Sequence, residues 1–305
     1  MLSLLMPTVA QGLLWALMAL GVYVTFRVLD IADLTVEGSF PLGAATAASM
    51  MVAGFGPLTA LLAAFVAGML AGVVTGLLHT KMKIPALLAG ILTMIALYSV
   101  NLRIMGKANL SLLGVDTAFK IAKSALDLSM AQTTLVVGLA VTLIVGFFMY
   151  WFFGTQIGAA IRATGFNQQM IRAQGVDTDI TIILGLLLSN GLVAVSGALV
   201  AQSNGFSDVG MGTGTIVIGL ASVIIGEVLF GTRSFKNCLI SVVLGSIVYR
   251  IVIAAVLAMG MPPNDLKLFT AIIVAIFLAV PQLKARSKSS FAGAKKRALN
   301  ERSDA

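Results

Sequence analysis

Long apolar runs separated by short polar stretches dominate the hydropathy pattern of this chain. Most runs have about 20 residues, the length that an α-helix needs to cross the hydrocarbon of a bilayer. They lie at residues 3–26, 38–53, 57–78, 84–102, 131–153, 180–201, 216–230, 238–259 and 268–281. Because unbroken apolar runs do not fit the alternating pattern of a transmembrane β-barrel, they must be helices. The pattern predicts an all-α, polytopic transmembrane bundle of about eight to ten membrane segments, some short or broken.

The composition supports a membrane protein. Charged residues make up 10% of the 305 residues, whereas soluble domains contain about 25%. Of the net charge of +8, residues 284–305 contribute +5, from seven Lys or Arg against two acids. A basic stretch after the last apolar run is typical of a cytoplasmic terminus and does not indicate nucleic-acid binding. We therefore predict a transmembrane domain over residues 1–282 and a disordered, basic cytoplasmic tail over residues 283–305.

Few residues could carry catalytic or metal chemistry. The chain has one cysteine, Cys238, and one histidine, His79, so we expect neither a disulfide within the chain nor a Cys/His metal cluster. It contains no GxxxxGK(S/T) phosphate loop, and its hydroxyl residues form no nucleophile–base set with the single histidine. We expect no catalytic residue, no metal site and no cofactor in this chain.

The basic connections orient the predicted helices. With a cytoplasmic tail, the positive residues at 81–83, 154–179 and 231–237 all fall on the cytoplasmic side. The short run 38–53 leaves two topologies open. If it crosses completely, the N-terminus lies outside and the acidic segment 27–37 inside; if it dips in and returns, both termini are cytoplasmic. We favour the second, because acidic residues suit the outer face.

A polar, charge-bearing interval at residues 154–179 separates two runs that could each cross the bilayer. Asn167 can cap a short helix over 168–174, which Gly175 would end. Ahead of it, residues 154–163 extend the preceding helix, with a break at Thr164 and Gly165. A helix, a turn and a short helix on the cytoplasmic rim would give a soluble partner a binding surface. An ordinary loop is the alternative.

Glycines indicate how the helices pack. Gly68, Gly72 and Gly76 recur every four residues on one helix face, and Gly219 and Gly226 lie on another helix. Small residues let helix backbones approach closely in lipid, so we expect contacts within the chain here, with a dimer contact as the alternative.

Two glycine-containing polar stretches adjoin the short apolar runs, at residues 34–44 and 202–214. Non-helical backbone at membrane depth is tolerated where it is buried in protein or lines a cavity. Such interruptions mark the binding region in transporters built from internal repeats. Two ordinary outer loops are the alternative.

Two ionisable residues lie inside apolar runs, Glu227 and Arg250. Each costs a few kcal/mol at membrane depth unless it is paired or hydrated. They could neutralise one another, which would be a structural role. The alternative is that Glu227 couples transport to protons or other ions.

The segments AAIRATGFNQQMIRAQGVDTD and SNGLVAVSGALVAQ resemble the cytoplasmic coupling region of ABC-importer permeases, within the family of branched-chain amino-acid and ribose-type permeases. The matching positions are 162–165, Asn167, Arg172, 175–176 and 196–198. Residues 33–39 are similar to the Asp-Leu-Ser-Val-Gly-Ser motif of the sugar branch, with Glu37 as an extra residue. The whole pattern over residues 3–281 is most similar to the tryptophan/tyrosine-type permeases of that family.

The resemblance implies a type II ABC-importer fold in the bacterial cytoplasmic (inner) membrane. It implies a pathway for a small solute, an aromatic or branched-chain amino acid or a related compound. The implied partners are an ATPase subunit that binds ATP and Mg²⁺, a second permease copy in a homodimer, and an extracytoplasmic solute-binding protein. The alternative function is an ion-coupled secondary transporter that uses Glu227.

Two sets of site residues follow from the resemblance and the pattern together. The residues predicted to couple to the ATPase are Arg162, Thr164, Gly165, Asn167, Met170, Arg172 and Gly175. The residues predicted to line the solute pathway are Glu37, Ser39, Phe40, Asn101 and Asn190.

Overall fold

The computed structural model describes residues 2–259, 268–272 and 275–276. Eleven α-helices lie within residues 2–259: α1 (Leu2–Tyr23), α2 (Val36–Val52), α3 (Pro57–Thr80), α4 (Ala86–Met105), α5 (Ala118–Leu126), α6 (Met130–Gly154), α7 (Gln156–Phe166), α8 (Gln168–Ala173), α9 (Thr178–Asn204), α10 (Thr215–Phe230) and α11 (Phe235–Ala258). The predicted tail at 283–305 and most of the predicted last crossing at 268–281 lie outside the described residues.

Seven helical segments in the described ranges are long and apolar enough to cross a bilayer. A π-helical turn (Val24–Val28) extends α1 within the first of them, and α2, with 17 residues, is an eighth helix of comparable length. The predicted all-α polytopic bundle is therefore confirmed.

Helix α2 runs from one end of the bundle to the other. Near its start, the π turn that ends α1 packs against Gly165 of α7. Near its end, Ser49 donates a hydrogen bond of 2.9 Å to the carbonyl of Ile104, at the far end of α4. The expectation that residues 38–53 dip into the membrane and return is therefore wrong.

The direction of α2 also fixes the direction of α1. Gln11, near the start of α1, donates a hydrogen bond of 3.2 Å to Ser203 at the end of α9, and α9 begins next to α8. The N-terminal end of α1 thus lies at the end of the bundle opposite α7 and α8, so the favoured arrangement with both termini on one side is wrong. That expectation assumed that the acidic residues of segment 27–37 face an aqueous phase. Asp33 is instead buried inside the protein.

The non-helical backbone predicted at 34–44 is replaced by helix from Val36 onward. Glycine serves close packing there: a Cβ on Gly43 would lie 1.9 Å from the carbonyl oxygen of Ala194 in α9. Residues 205–214, in contrast, are largely non-helical as predicted. They form strand β2 (Phe206–Asp208), a 3₁₀ turn (Val209–Gly212) and a positive-φ residue, Gly214, before α10.

Helix α9 is the centre of the packing. A Cβ added to Gly68 or Gly72 of α3 would lie 2.4 or 2.3 Å from a carbonyl oxygen of α9, and one on Gly76 would meet Ile183. Along the contact with α2, a Cβ on Gly197 of α9 would lie 2.0 Å from the carbonyl oxygen of Phe40. At Gly43, Gly68, Gly72 and Gly197, the backbones of α2 and α3 thus approach the backbone of α9 directly.

The two remaining predicted glycine contacts are also internal. Gly219 of α10 packs against Val22 and Met18 of α1, and Gly226 packs against the carbonyl of Ser241 in α11. The prediction of packing within the chain is confirmed for these positions.

A short antiparallel ribbon joins two connections at the end of the bundle opposite α7 and α8. Strand β1 (Asn109–Ser111) pairs with β2, and Asn109 Nδ2 donates to Asp208 at 3.2 Å. Strands of three residues are too short to show the alternating pattern by which strands are recognised, so the sequence did not predict them.

Candidate functional site

The segment between α6 and α9 forms two short helices whose ends follow from local sequence. Asn167 begins α8, and its Oδ1 accepts a hydrogen bond of 3.0 Å from the backbone N–H of Met170. Gly175 follows α8 with a φ of +86°, a conformation that glycine adopts without strain. The predicted cap and the predicted stop are both confirmed.

The break between the preceding helices lies elsewhere than predicted. Helix α6 ends at Gly154, and the Oγ1 of Thr155 caps α7 by accepting a hydrogen bond of 3.3 Å from the N–H of Gly158. Helix α7 continues through Thr164 and Gly165. The predicted break at these two residues is therefore wrong, because α7 runs to Phe166 and the chain turns at Asn167. The predicted continuity of residues 154–163 with the preceding helix is also wrong, since Thr155 separates α6 from α7.

Thr164 and Gly165 instead attach α7 to the bundle. The buried hydroxyl of Thr164 donates to the carbonyl of Ala160 at 2.8 Å and lies 2.8 Å from the hydroxyl of Thr181 in α9. A Cβ on Gly165 would lie 1.9 Å from the carbonyl oxygen of Val28. Helix α7 is thus held against both α1 and α9 by contacts that tolerate no larger side chain.

Arg172 holds α8 against the start of α9. Its Nε donates to the hydroxyl of Thr178, and its Nη2 lies 3.3 Å from Oδ1 of Asp179. Lys81, at the end of α3, lies 3.2 Å from the other oxygen of the same carboxylate. Asp179 therefore joins α3, α8 and α9 at the end of the bundle that carries the basic connections.

The outer surface of this segment is partly apolar. The side chain of Phe166, the last residue of α7, is 90% exposed, and that of Met170 is 46% exposed. Arg162 is exposed and lies over the ring of Phe235, 5.4 Å from its centroid. Phe166 was not among the predicted coupling residues, although an aromatic residue immediately before a helix cap in a polar segment was a usable signal. We refer to α7 and α8 with these exposed residues as the coupling segment.

Four of the five residues predicted to line the solute pathway are fully buried, and three of these, Ser39, Phe40 and Asn190, lie between α1, α2 and α9. Ser39 donates a hydrogen bond of 2.7 Å to Oδ1 of Asn190. The ring of Phe40 packs against Trp15, with centroids 5.0 Å apart. These three residues join α1, α2 and α9.

The sequence analysis missed the polar network that continues from Asn190. Its Nδ2 donates to Oδ2 of Asp33 at 2.8 Å, and the other carboxylate oxygen accepts from the backbone N–H of Thr35 at 2.9 Å. The hydroxyl of Thr35 lies 2.7 Å from that of Thr75, which donates to Thr93 at 3.0 Å. This buried chain links the α1–α2 connection to α3, α4 and α9. Isolated threonines in apolar runs carry no signal that would have revealed it.

Glu37 and Asn101, the other two predicted residues, line a cavity of about 450 Å³ between α2, α4 and the 209–214 connection. Oε1 of Glu37 accepts a hydrogen bond of 3.0 Å from the backbone N–H of Gly214. Nδ2 of Asn101 donates to the carbonyl of Gly38 at 3.3 Å. The structure thus brings together two of the five predicted residues around one open volume.

Glu227 and Arg250 do not pair. Glu227 lies near the end of α10 and forms an ion pair with Arg27, whereas Arg250 stacks over the ring of Trp15, 4.0 Å from its centroid. The expected mutual neutralisation is wrong because the two residues lie at different depths. Arg250 comes 15 residues after the start of α11, which places it roughly 20 Å along the helix from the α10–α11 turn.

These helices define a multi-pass helical membrane protein. A family model described as branched-chain amino acid transport system / permease component matches residues 4–281. The chain therefore belongs to this family and is a permease component of an ABC transporter in the bacterial inner membrane.

Two sequence relatives agree with this membership. The chain is 41% identical over 289 residues to a tyrosine transport system permease protein of Clostridioides difficile (strain R20291), covering 95% of each chain. It is 31% identical over 270 residues to a galactofuranose transporter permease protein of Escherichia coli (strain K12), covering 87% of this chain and 75% of the relative. A solved inward-facing ABC transporter of the metal-chelate type shares 17% identity, with a TM-score of 0.48 over 92% of this chain and 84% of the other.

Proposed function

We propose that this permease imports an aromatic or branched-chain amino acid, or a related compound, and is driven by a separate ATPase subunit that docks on the coupling segment. The proposal rests on two features of the coupling segment taken together: it is attached firmly to the bundle, and it exposes apolar side chains. Thr164 and Gly165 fix α7 rigidly to the bundle, while Phe166 and Met170 present apolar surface outward. A partner that binds this surface can displace the helices behind it.

The mechanism follows from the rigidity of those attachments. When the partner ATPase closes on its nucleotide, it pushes the coupling segment. The push reaches α1 through the contact between Gly165 and Val28, and it reaches α9 through the Thr164–Thr181 hydrogen bond and the Arg172–Asp179 ion pair. Displacement of packed helices as rigid bodies is a common way of switching a membrane pathway between its two openings.

The proposed partners of the complex are those that the family membership implies. ATP and Mg²⁺ bind to the ATPase subunit, and this chain takes no catalytic role. A second copy of the permease completes the pathway as a homodimer. An extracytoplasmic solute-binding protein delivers the solute to the end of the bundle that carries the β1–β2 ribbon. The proposed class of solute rests on the 41% identical relative, which is named for tyrosine transport.

The alternative, an ion-coupled carrier that uses Glu227, has less support. The carboxylate of Glu227 is engaged by Arg27 through both of its oxygens, which is the arrangement of a structural ion pair. Uptake that persists on an ion gradient after deletion of the ATPase would support the carrier and contradict the proposal.

Replacement of the exposed apolar residues tests the docking directly. The double variant Phe166→Ser/Met170→Ser should lose the co-expressed ATPase subunit during purification of the complex. The matched control is Phe55→Ser, because Phe55 is also exposed but lies on the α2–α3 turn at the opposite end of the bundle. Undiminished co-purification of the ATPase with the double variant would refute docking at this surface.

A further inference from the structure

We infer that a phospholipid with an anionic headgroup, drawn from the cytoplasmic leaflet, binds in a cleft between α6, α7 and α11. We call this volume the basic cleft. Its walls include two basic residues together with aromatic and hydroxyl side chains: Arg162, Lys236, Tyr150, Trp151, Phe235 and Thr155. The inference concerns the surrounding membrane and does not depend on which solute the permease transports.

The charge of the basic cleft favours an anion. Arg162 and Lys236 are exposed, and neither forms an ion pair with a residue that the structure describes. No acidic residue occurs among the described residues that line the cleft. Glu227, in the last turn of α10, is already paired with Arg27. Two positive side chains therefore line one open volume of about 650 Å³ without a counterion from the described part of the chain.

Arg162 is held at the wall of the basic cleft. Its guanidinium lies over the ring of Phe235, another lining residue, with Cζ 5.4 Å from the ring centroid. No hydrogen bond joins its donors to a second residue within the described ranges. A guanidinium has five N–H donors in a planar fork that fits phosphate oxygens. Arg162 can therefore bind the phosphate of a headgroup without giving up an existing hydrogen bond.

An apolar groove of about 370 Å³ continues from the basic cleft along α1, α6 and α11. Tyr150 and Lys236 line both volumes, so the two meet at these residues. The rest of the apolar groove is lined almost entirely by apolar side chains, and the hydroxyl of Thr142 already donates to the carbonyl of Leu13 at 3.1 Å. A cationic cleft joined to an apolar groove matches a ligand that has an anionic head and an acyl chain.

The length and position of the apolar groove match one leaflet of a bilayer. In α6 it extends from Tyr150 back to Leu139, a distance of roughly 16 Å along the helix. Hydrocarbon about 30 Å thick gives each leaflet about 15 Å. Tyr150 and Trp151 stand at the mouth of the groove, as tyrosine and tryptophan do at membrane interfaces. A headgroup in the basic cleft would thus place its acyl chain at the depth where lipid chains lie.

The basic cleft lies at the end of the bundle that carries the coupling segment. Basic pockets between transmembrane helices on the cytoplasmic side are typical sites for anionic headgroups. Arg162 belongs to α7, and Lys236 belongs to α11. One phosphate bound by both residues would join the coupling segment to α11, so that membrane composition would influence the position of α7.

Native mass spectrometry of the full chain tests the inference in micelles that contain equal amounts of phosphatidylglycerol and phosphatidylcholine with identical acyl chains. The ratio of the two bound lipids then reports the headgroup alone. Wild type should retain phosphatidylglycerol over phosphatidylcholine by about 30-fold, because each of two basic side chains near the membrane surface contributes about fivefold. Lys236→Gln and Arg162→Gln should each lower this ratio about fivefold.

The matched control is Arg233→Gln. Arg233 is exposed on the same turn between α10 and α11, but it does not line the basic cleft, so this variant should keep the ratio of wild type. An equal loss of selectivity in Arg233→Gln and Lys236→Gln would show attraction by the general surface charge and would overturn the inference. An unchanged ratio in Lys236→Gln would overturn it as well.

Two measurements test the acyl chain. Val243→Phe fills part of the apolar groove from a partly exposed position, so it should lower the retention of both lipids without changing their ratio. Soluble sn-glycerol 3-phosphate, which has the anionic group without acyl chains, should not displace phosphatidylglycerol. Displacement by this compound, or full retention of lipid by Val243→Phe, would assign the basic cleft to a soluble anion instead.

The complete complex with its ATPase subunit distinguishes a lipid from a protein occupant. Phosphatidylglycerol that stays bound to the complex, with the same sensitivity to Lys236→Gln, supports the inference. Loss of the lipid when the ATPase or a second permease copy associates would show that a protein covers the basic cleft, and the inference would be overturned.

Discussion

Arg27 and Glu227 form a bidentate ion pair that joins the end of α1 to the end of α10. The Nε of Arg27 lies 2.9 and 3.0 Å from the two carboxylate oxygens, and its Nη2 also contacts Oε2. The Arg27 side chain is 47% exposed and that of Glu227 is 11% exposed. The pair therefore lies at the rim of the bundle, where solvent can partly screen it, and not along a buried pathway.

We expect this pair to contribute modestly to stability. Glu227→Gln should lower the free energy of unfolding by about 1 kcal/mol, because solvent screens a half-exposed arginine. Arg27→Gln should have a similar effect, and the double variant should be no less stable than either single variant, because both single changes remove the same interaction. Thermal unfolding in detergent measures all three. Full additivity of the two effects would show that the residues do not interact.

The contact between Gly165 and Val28 should be essential for coupling. In Gly165→Ala, the new methyl group would overlap the Val28 carbonyl oxygen, so α7 must shift away from α1. We expect ATP-dependent uptake to fall more than about tenfold, since small displacements of positioned groups have effects of that order.

The matched control for Gly165 is Gly146→Ala in α6. A Cβ at Gly146 meets nothing within 4 Å, so this variant should retain full uptake and gain up to about 1 kcal/mol in stability from helix propensity. Equal uptake by the two variants would contradict a role for the close contact at Gly165.

The buried hydrogen bond between Asp33 and Asn190 should contribute more to the free energy of unfolding than a surface interaction does. Asp33→Ala or Asn190→Ala leaves the other side chain without its partner inside the protein, which should cost roughly 1–3 kcal/mol of unfolding free energy. The double variant should lose less than the sum of the two, and Asp116→Ala, at an exposed acidic residue, should be close to neutral. A simple sum of the two single effects would argue against the network.

The direction of α1 can be checked by labelling. In a background where Cys238 is replaced by serine, cysteines introduced at Leu5 and Phe55 should react with an impermeant maleimide from outside intact cells. A cysteine at Gln169 should react only in inverted vesicles, because it lies on α8 at the other end of the bundle. Reaction of Leu5→Cys together with Gln169→Cys would place the start of α1 on the cytoplasmic side and contradict the arrangement of α1 and α2.

Structural features that depend only on residues close together in the sequence were predictable. The Asn167 cap and the Gly175 stop need only the local chain, and the spacing of Gly68, Gly72 and Gly76 follows from helix periodicity alone. The crossing helices were found because length and hydrophobicity are sufficient to identify them.

Features that depend on which helices are neighbours were not predictable. The partner of Glu227 is 200 residues away in sequence, and no local pattern links it to Arg27. The depth of Arg250 could have been counted along α11, which would have excluded its pairing with Glu227. The glycine-containing start of α2 was expected to be non-helical, because its packing against α9 and the 209–214 connection appears only when those elements are in place.

The backbone contacts of α9 determine how force can travel through the protein. Because no side chains separate α9 from α3 at Gly68 and Gly72, or from α2 at Gly43 and Gly197, these helices cannot slide past one another by changing rotamers. We therefore expect them to move as a single three-helix block. A displacement of the first turn of α9 should therefore also displace the start of α2. Glu37 would then change its position relative to the remaining helices at the same time.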